Sequence, residues 1–188
     1  MYDYDRGDAD DFMGRCSLEL GTVAGEGRVE QWLPLQDTKK GEVEVVVEWL
    51  PVLPGPVTSA STRCILSLFI DSCRNLSTGR GSPPFARVEA RLGSEQNKAG
   101  FCSKPRGPTD QPVYQEQQYF LSSRPTTDFL LVSVVDQKSA AVLGRVTVQL
   151  AFLLRQPNNR FCDMEWRLEG GAGQSESFVT LSAQLWQY

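Results

Sequence analysis

The sequence predicts an all-β protein, in which an antiparallel β-sandwich follows the last strands of a second, truncated sandwich. Three observations lead to this prediction: apolar and polar residues alternate along short runs, turn-forming residues separate those runs, and one set of landmarks occurs twice. The chain has 188 residues, of which 40% are hydrophobic. That amount of apolar material suits one core of ordinary size together with a fragment of another.

The alternation has the period of two that a β-strand requires. Between residues 42 and 49, four apolar side chains fall on one face and three glutamates on the other. In a later strand, at residues 86–92, Arg87, Glu89 and Arg91 face outward while the residues between them face inward. A short helix is expected around residues 151–155. The remaining strand-like runs lie at residues 64–70, 119–121, 129–135, 146–150 and 178–186.

The repeat consists of three landmarks in the same order. The spacing between the copies is 130 residues at a glycine, 134 at a first tryptophan and 137 at a second. A spacing that increases slowly along the chain is expected when loops lengthen after a duplication. The pairs are Gly14 and Gly144, Trp32 and Trp166, and Trp49 and Trp186. The chain is therefore predicted to hold the C-terminal part of one module (1–50), a proline-rich linker (51–62) and one complete module (63–188).

Charge and composition argue against several classes of function. Residues 1–62 carry 5 basic and 12 acidic side chains, a net charge of −7, whereas residues 63–188 carry 14 basic and 11 acidic, a net charge of +3. This balance lacks the concentrated basic face that nucleic-acid binding requires, so no nucleic-acid partner is expected. The chain has no histidine, the usual general base, and we do not expect an enzyme.

The five cysteines are scattered, and without histidine or a close cysteine pair they do not indicate a zinc site. Reduced and mostly buried thiols are expected instead. No apolar stretch approaches the roughly 20 residues that cross a bilayer, and the first residues carry no signal segment. We therefore expect a soluble, intracellular chain.

The acidic segment at the start of the chain carries the candidate metal ligands. Asp3 and Asp5 are two residues apart, so both carboxylates face the same way on an extended chain, and a glycine-containing turn returns Asp11 towards them. Three converging carboxylates suit calcium, which takes about six to eight oxygen ligands. The segment lacks the glycine and glutamate positions of an EF-hand. The alternative is a solvated acidic loop between two strands.

Several of these stretches resemble a known family. Residues 2–5 followed by 11–15 are similar to the third top loop of a C2 domain. Residues 75–76 followed by 81–88 resemble its first loop and the following strand, and residues 111–116 resemble its Asn-Pro-x-Trp-x-Glu signature. Residues 30–35 followed by 41–50 are most similar to the extended synaptotagmins. The resemblance implies an antiparallel eight-stranded β-sandwich in the second module, preceded by the end of another C2 domain.

The resemblance implies calcium positions at Asp3, Asp5 and Asp11 in the first module. The site is incomplete, because the family also uses aspartates from another loop, which would lie upstream of Met1. Calcium binding is thus implied for a longer parent protein and is expected to be weak or absent in this chain.

The second module departs further from the family's calcium pattern. Asp136 aligns with Asp3, whereas Lys138 stands near the place of Asp5 and Ala141 opposite Asp11. One carboxylate accompanied by a lysine does not hold a divalent cation well. The complete module is therefore expected to be calcium-independent.

Membrane docking is the function that the resemblance implies. Without calcium ligands, the family's remaining route to anionic phospholipid is a basic patch on the sheet, in which each basic group contributes about 1 kcal/mol. The alternative is a solvated polar face, balanced by Glu89 and Glu95. The candidate lipid-binding residues are Arg87, Arg91, Lys98, Lys104 and Arg106.

The predicted function is therefore a phospholipid-docking module of a larger membrane-tethering and lipid-transfer protein of extended-synaptotagmin type. Its expected partners are an anionic phospholipid membrane and other C2 domains of the same protein. The expected location is the cytosolic face of membranes, at contacts between the endoplasmic reticulum and the plasma membrane reached through regions outside this chain. The rival function is a C2-like scaffold that binds proteins through an unpaired sheet edge, without lipid.

Overall fold

The computed structural model describes residues 12–58, 63–79, 81–93, 100–171 and 176–188. Contacts along the chain divide it into two compact units, Met1–Pro51 and Val52–Tyr188. In the described residues, β-strands dominate and every strand pair is antiparallel. The predicted all-β class is confirmed.

The first unit contains one short helix and one hairpin. Helix α1 (Leu20–Glu26) precedes strands β1 (Arg28–Pro34) and β2 (Glu42–Glu48). The helix ends at Gly27, whose φ of 77° lies in the left-handed region and whose N–H donates to the Val23 carbonyl at 2.8 Å. This helix was not predicted from the sequence.

The hairpin keeps the alternation predicted for residues 42–49. In β2 the three glutamates are exposed, and Val43, Val45 and Val47 on the other face are half-buried. Strand pairing sets Val47 of β2 opposite Val29 of β1, which is 6% exposed. The opposite face carries exposed apolar side chains, including Trp32 at 62% and Val46 at 54%.

The second unit is an eight-stranded sandwich of two four-stranded sheets, as predicted. One sheet has the strand order β6-β3-β10-β9 and the other the order β5-β4-β7-β8. A short helix, α2 (Leu150–Leu154), lies close to the predicted helical residues, and a 3-10 turn (Pro157–Asn159) follows it. The strands are β3 (Cys64–Arg74), β4 (Ala86–Gly93), β5 (Gly100–Cys102), β6 (Val113–Ser122), β7 (Phe129–Asp136), β8 (Val142–Gln149), β9 (Arg160–Arg167) and β10 (Phe178–Gln187).

The core of the second unit lies between the two sheets. The inward side chains of β3, from Cys64 to Ile70, have no exposed area, and those of β4 are at most 2% exposed. Each large aliphatic side chain buried in this way stabilises the fold by about 2 kcal/mol. Alternation therefore fixes the outer face of each sheet as well, and on β4 that face carries the charged residues Arg87, Glu89 and Arg91.

The sequence repeat corresponds to repeated structure. The order α1, β1, β2 in the first unit matches the order α2, β9, β10 in the second. After the repeated glycine, Arg15 forms a bridge with Gln36, and Arg145 forms the equivalent bridge with Glu169. A Cβ atom at Gly144 would lie 2.6 Å from the Leu168 Cβ atom, so the bridge requires glycine there.

Part of the predicted linker packs on the second unit. The Leu53 N–H donates to the Gln187 carbonyl at 2.8 Å, and Val57 is 2% exposed within the core. The side chain of Asn159 accepts from the Val57 N–H at 2.7 Å and donates to the Val57 carbonyl at 2.9 Å. The proposed module boundaries at residues 50 and 62 stay a prediction.

The cysteines differ in part from the prediction. All five are free, but only Cys64 and Cys73 are buried, while Cys102 and Cys162 are exposed. Burial raises the pKa of the Cys64 thiol to about 11, which keeps it protonated and inert. The expectation that the thiols are mostly buried is therefore wrong.

Candidate functional site

The outer face of the sheet β5-β4-β7-β8 carries the first candidate site. On β4, Arg87, Glu89 and Arg91 point outward because Ala86, Val88, Ala90 and Leu92 are buried between them. This is the orientation that the alternation predicts. The structure thus brings the predicted residues Arg87 and Arg91 onto one face.

A third arginine joins this face through strand register. Glu89 pairs with Ser133 of β7, and Ser133 pairs with Arg145 of β8. Residues that are paired across a sheet face the same side, so Arg145, which is exposed, lies on the face that Arg87 and Arg91 occupy. We call the outer face formed by these three arginines the cationic face.

Sequence reasoning missed Arg145. The alternation of β8, where Val146 and Val148 face inward, indicates that Arg145 faces outward. It does not reveal which strands lie beside β8. Only the order β4-β7-β8 brings Arg145 to the face of Arg87.

The arginines of the cationic face differ in their charge partners. Arg87 forms an ion pair with Glu89 at 2.8 Å and donates to the Gln137 side chain at 2.5 Å. Among the residues that the structure describes, Arg91 and Arg145 have no ion-pair partner. Glu169, which is bridged to Arg145, faces the same side as Arg145, so the three arginines and the two acids Glu89 and Glu169 leave a net charge of +1 on this face.

A shallow cavity of about 400 Å³ lies on the cationic face between Arg91 and Arg145. Its floor consists of outward residues of the neighbouring strands, among them Cys102, Leu131 and Ser133. The positive charges therefore surround a concave, partly apolar surface. An anionic headgroup is the type of ligand that matches this charge.

Of the other three predicted basic residues, the structure describes Lys104 and Arg106. Lys104 is exposed just after the edge strand β5, and Lys98 lies outside the described residues. Arg106 pairs with Ala86, so its side chain leaves the strand on the buried side of the sheet. There its guanidinium lies 3.5 Å from the Glu116 carboxylate of the other sheet. Arg106 is therefore not part of the cationic face.

The loops at one end of the second unit enclose the second candidate site. A cavity of about 720 Å³, which we call the loop pocket, is lined by Phe85, Asp136 and Lys138 together with hydroxyl-bearing residues. The Lys138 ammonium lies 4.0 Å from the centre of the Phe85 ring, a cation–π geometry. The hydroxyl-bearing residues are Thr78, Ser82 and Ser139.

Asp136 fastens the loop that bears Lys138. Its carboxylate accepts hydrogen bonds from the Phe85 N–H at 3.0 Å, the Ser139 N–H at 3.0 Å and the Ser139 hydroxyl at 2.6 Å. Burial by itself raises the pKa of Asp136, but these donors outweigh it and hold the pKa below its usual value. The carboxylate is therefore ionised, and its oxygens are occupied by the loop.

The residues of the loop pocket do not fit a calcium ion. Asp136 is the only carboxylate among the described residues that line the pocket, and the loop's own donors already bind its oxygens. Calcium requires about six to eight oxygen ligands, usually with several carboxylates. Within the described ranges, no group of three metal-binding side chains is arranged to hold a metal. The predicted calcium ligands Asp3, Asp5 and Asp11 lie outside those ranges.

Comparison with known proteins identifies relatives for most of the chain. The C2 domain family matches residues 1–35 and 64–163. Extended synaptotagmin-2 of Mus musculus is 28% identical over 80% of this chain, and extended synaptotagmin-1 of Mus musculus is 30% identical over 78%. The chain spans 20% of the former and 14% of the latter.

Solved structures show the same relationship. A structure described as two adjacent C2 domains of extended synaptotagmin 2 with calcium bound is 26% identical, with a TM-score of 0.62. The match covers 99% of this chain and 69% of that one. A single C2 domain of a plant extended synaptotagmin 1, at 15% identity and a TM-score of 0.56, shares the fold. No helix in the described parts of this chain is long and apolar enough to span a membrane.

Proposed function

The chain belongs to the C2 domain family, and we propose that its second unit docks on anionic phospholipid membranes through the cationic face, without calcium. The observation that carries this proposal is the strand register that sets Arg145 on the same outer face as Arg91, with neither charge paired among the described residues. Each basic group near an anionic surface contributes about 1 kcal/mol. Two unpaired arginines together therefore provide reversible, salt-sensitive attachment.

The parent protein that we propose is a membrane-tethering and lipid-transfer protein of extended-synaptotagmin type. The similarity to extended synaptotagmins over most of the chain supports this proposal. The cytosolic face of the endoplasmic reticulum, at contacts with the plasma membrane, is its proposed location, and other C2 domains of the same protein are proposed partners. Calcium binding at Asp3, Asp5 and Asp11 belongs to the proposal for the parent protein only.

The test measures co-sedimentation of the whole chain with vesicles in the presence of a calcium chelator. We expect binding to vesicles of phosphatidylcholine that contain phosphatidylserine, weaker binding at high salt, and none to phosphatidylcholine alone. The double variant R91Q/R145Q removes two charges from the cationic face. Because each charge contributes about 1 kcal/mol, the variant should bind the vesicles about thirtyfold more weakly.

A matched control removes the same charge elsewhere. Arg155 and Arg160 are exposed, and neither has an ion-pair partner in the described part of the chain. The variant R155Q/R160Q should bind as the wild type does. Equal losses in the two double variants would show that net charge alone governs binding, and the docking proposal would then fail.

A second candidate function, protein binding, rests on the outer face of the other sheet. There, Ile65 of β3 pairs with Leu121 of β6 and with Trp186 of β10. Leu121 is 49% exposed and Trp186 is 40% exposed, so an apolar row crosses three strands. A chain that binds no vesicles, whatever their lipid charge and the salt concentration, would favour this function over the cationic face.

A further inference from the structure

The two sheets of the second unit end in four edge strands, β6 and β9 in one sheet and β5 and β8 in the other. The open side of an edge strand presents backbone N–H and C=O groups that pair with another chain unless some feature blocks them. Strand β5 has only three residues, and β8 is covered at Arg145 by its bridge to Glu169. Strand β9 exposes four charged side chains and is irregular at Asp163, whose φ is 47°.

Strand β6 lacks these blocking features along most of its length. It has ten residues, and among the described residues it pairs with β3 alone. Its one charged residue, Glu116, lies 3.5 Å from Arg106 on the buried side. The backbone is irregular at Gln115, whose φ is 54°, so residues 116–122 form the regular part of the open edge. The outward side chains are all uncharged: Val113, Gln115, Gln117, Tyr119 and Leu121.

Two large side chains at this edge are strongly exposed. Tyr119 is 58% exposed and Leu121 is 49% exposed, and both lie on the outer face of the sheet. A strand that pairs with β6 would cover part of both side chains in addition to the open backbone groups. Burial of that apolar area favours association.

The regular part of β6 is complementary to a second copy of itself. In antiparallel pairing about a twofold axis at Tyr119, the two Tyr119 residues lie opposite each other, and Gln117 lies opposite Leu121 of the second copy. At the ends, Glu116 lies opposite Ser122 of the second copy, so no two like charges meet. Aromatic side chains that face each other across two strands stabilise the pairing.

The open edge of the first unit lacks this complementarity. Strand β2 pairs only with β1 among the described residues. In the equivalent pairing of β2 with a second β2 about Val45, Glu42 would lie opposite Glu48 at both ends. Like charges that face each other destabilise a sheet. Strand β6 therefore has the edge that suits a second copy.

We propose that two copies of this chain associate by antiparallel pairing of β6 with β6, which joins two four-stranded sheets into one continuous sheet. The interface is closed, because each copy uses its only β6. This inference deepens the second candidate function, protein binding, by naming a second copy of the chain as the partner. It does not depend on the cationic face, which lies on the other sheet.

The experiment measures sedimentation equilibrium of the whole chain, in a reducing buffer that keeps Cys102 and Cys162 from forming disulfides. We expect the average mass to rise with concentration from that of one chain to that of two, and no further. The variant Y119K sets two positive charges opposite each other and should weaken dimerisation about tenfold or more. The matched control, W32K, adds the same charge at an exposed aromatic residue of the first unit and should dimerise as the wild type does.

Amide hydrogen exchange of the wild type locates the contact without a substitution. The amides of β6 should exchange more slowly at a concentration where the dimer predominates than at one where the monomer does. The amides of β9, at the other edge of the same sheet, should exchange equally at both concentrations.

The pairing is overturned if the chain stays monomeric up to about 1 mM, or if Y119K dimerises as tightly as the wild type. It is also overturned if association slows exchange in β9 and not in β6. These results leave the docking proposal untouched, because vesicle binding by R91Q/R145Q is measured separately. Conversely, a cationic face that fails its own test does not remove a dimer that Y119K disrupts.

Discussion

The hairpin of the first unit and the last hairpin of the second unit have the same order of elements but differ in burial. In β10, the inward residues Val179, Leu181, Ala183 and Leu185 are at most 4% exposed, whereas the corresponding valines of β2 are only half-buried. Both strands alternate with a period of two. The alternation therefore determines which face a residue occupies, and a second layer of structure determines how deeply it is buried.

The difference in burial between β10 and β2 should have its largest effect on the stability lost when a core side chain is removed. Leu181→Ala removes a side chain with no exposed area from the core of the second unit, and we expect a loss of about 3 kcal/mol in the free energy of unfolding. Val45→Ala in β2 removes a half-buried side chain and should cost less than about 1 kcal/mol. Amide hydrogen exchange, read separately for β10 and β2, measures both. Equal losses would contradict the difference in burial.

A second prediction concerns the attachment of residues 52–57 to the second unit. Asn159→Ala removes both hydrogen bonds to the Val57 backbone and leaves a buried N–H and carbonyl without those partners. We expect a loss of about 2 kcal/mol and faster exchange of the Val57 amide. Ser67→Ala, on the outer face of β3, is the control that should leave the Val57 amide protected. An unchanged Val57 exchange rate in Asn159→Ala would show that the contact does not hold this segment.

A smaller effect is expected at the loop that bears Lys138, and it depends on pH. The pKa of Asp136 is lowered in the folded state, so its stabilising contribution is fully present above the unfolded value of about 4 and is lost as pH falls through the folded value. Asp136→Asn should therefore cost about 1.5 kcal/mol at neutral pH. In acid, the free energies of unfolding of the variant and the wild type should become equal.

The measurement for this prediction is the urea midpoint of both proteins, compared at neutral and at acid pH. A cost that persists unchanged in acid would show that the carboxylate charge is not what holds the loop. A variant as stable as the wild type at neutral pH would contradict the hydrogen bonds assigned to Asp136.

Alternation predicted much of the fold but not the neighbours of each strand. The inward residues of β3 and β4 and the outward placement of Arg87 and Arg91 follow directly from the period of two. The position of Arg106 does not, because its pairing with Ala86 turns it to the buried side. A shift of one residue in register reverses the face of a side chain, and register is not encoded in a single strand.

Helix α1 escaped prediction for a local reason. Its sequence contains Gly21 and Gly25, and glycine costs about 1 kcal/mol relative to alanine in a helix interior. The repeat does indicate this helix. The repeated glycines are 130 residues apart, and the same spacing relates Leu150, the first residue of α2, to Leu20, the first residue of α1. The calcium positions at Asp3, Asp5 and Asp11 remain a prediction from the sequence.

The most direct test of the docking mechanism uses two of the protein's own thiols. Cys102 is exposed opposite Glu89 on the cationic face, and Cys162 is exposed on β9 of the other sheet. The whole chain is treated with a membrane-impermeant maleimide, with and without phosphatidylserine-containing vesicles and with a calcium chelator, and mass spectrometry quantifies labelling at each cysteine. We predict that vesicles protect Cys102 and leave Cys162 reactive. Protection of Cys162 alone, or of neither thiol in a chain that binds the vesicles, would contradict docking through the cationic face.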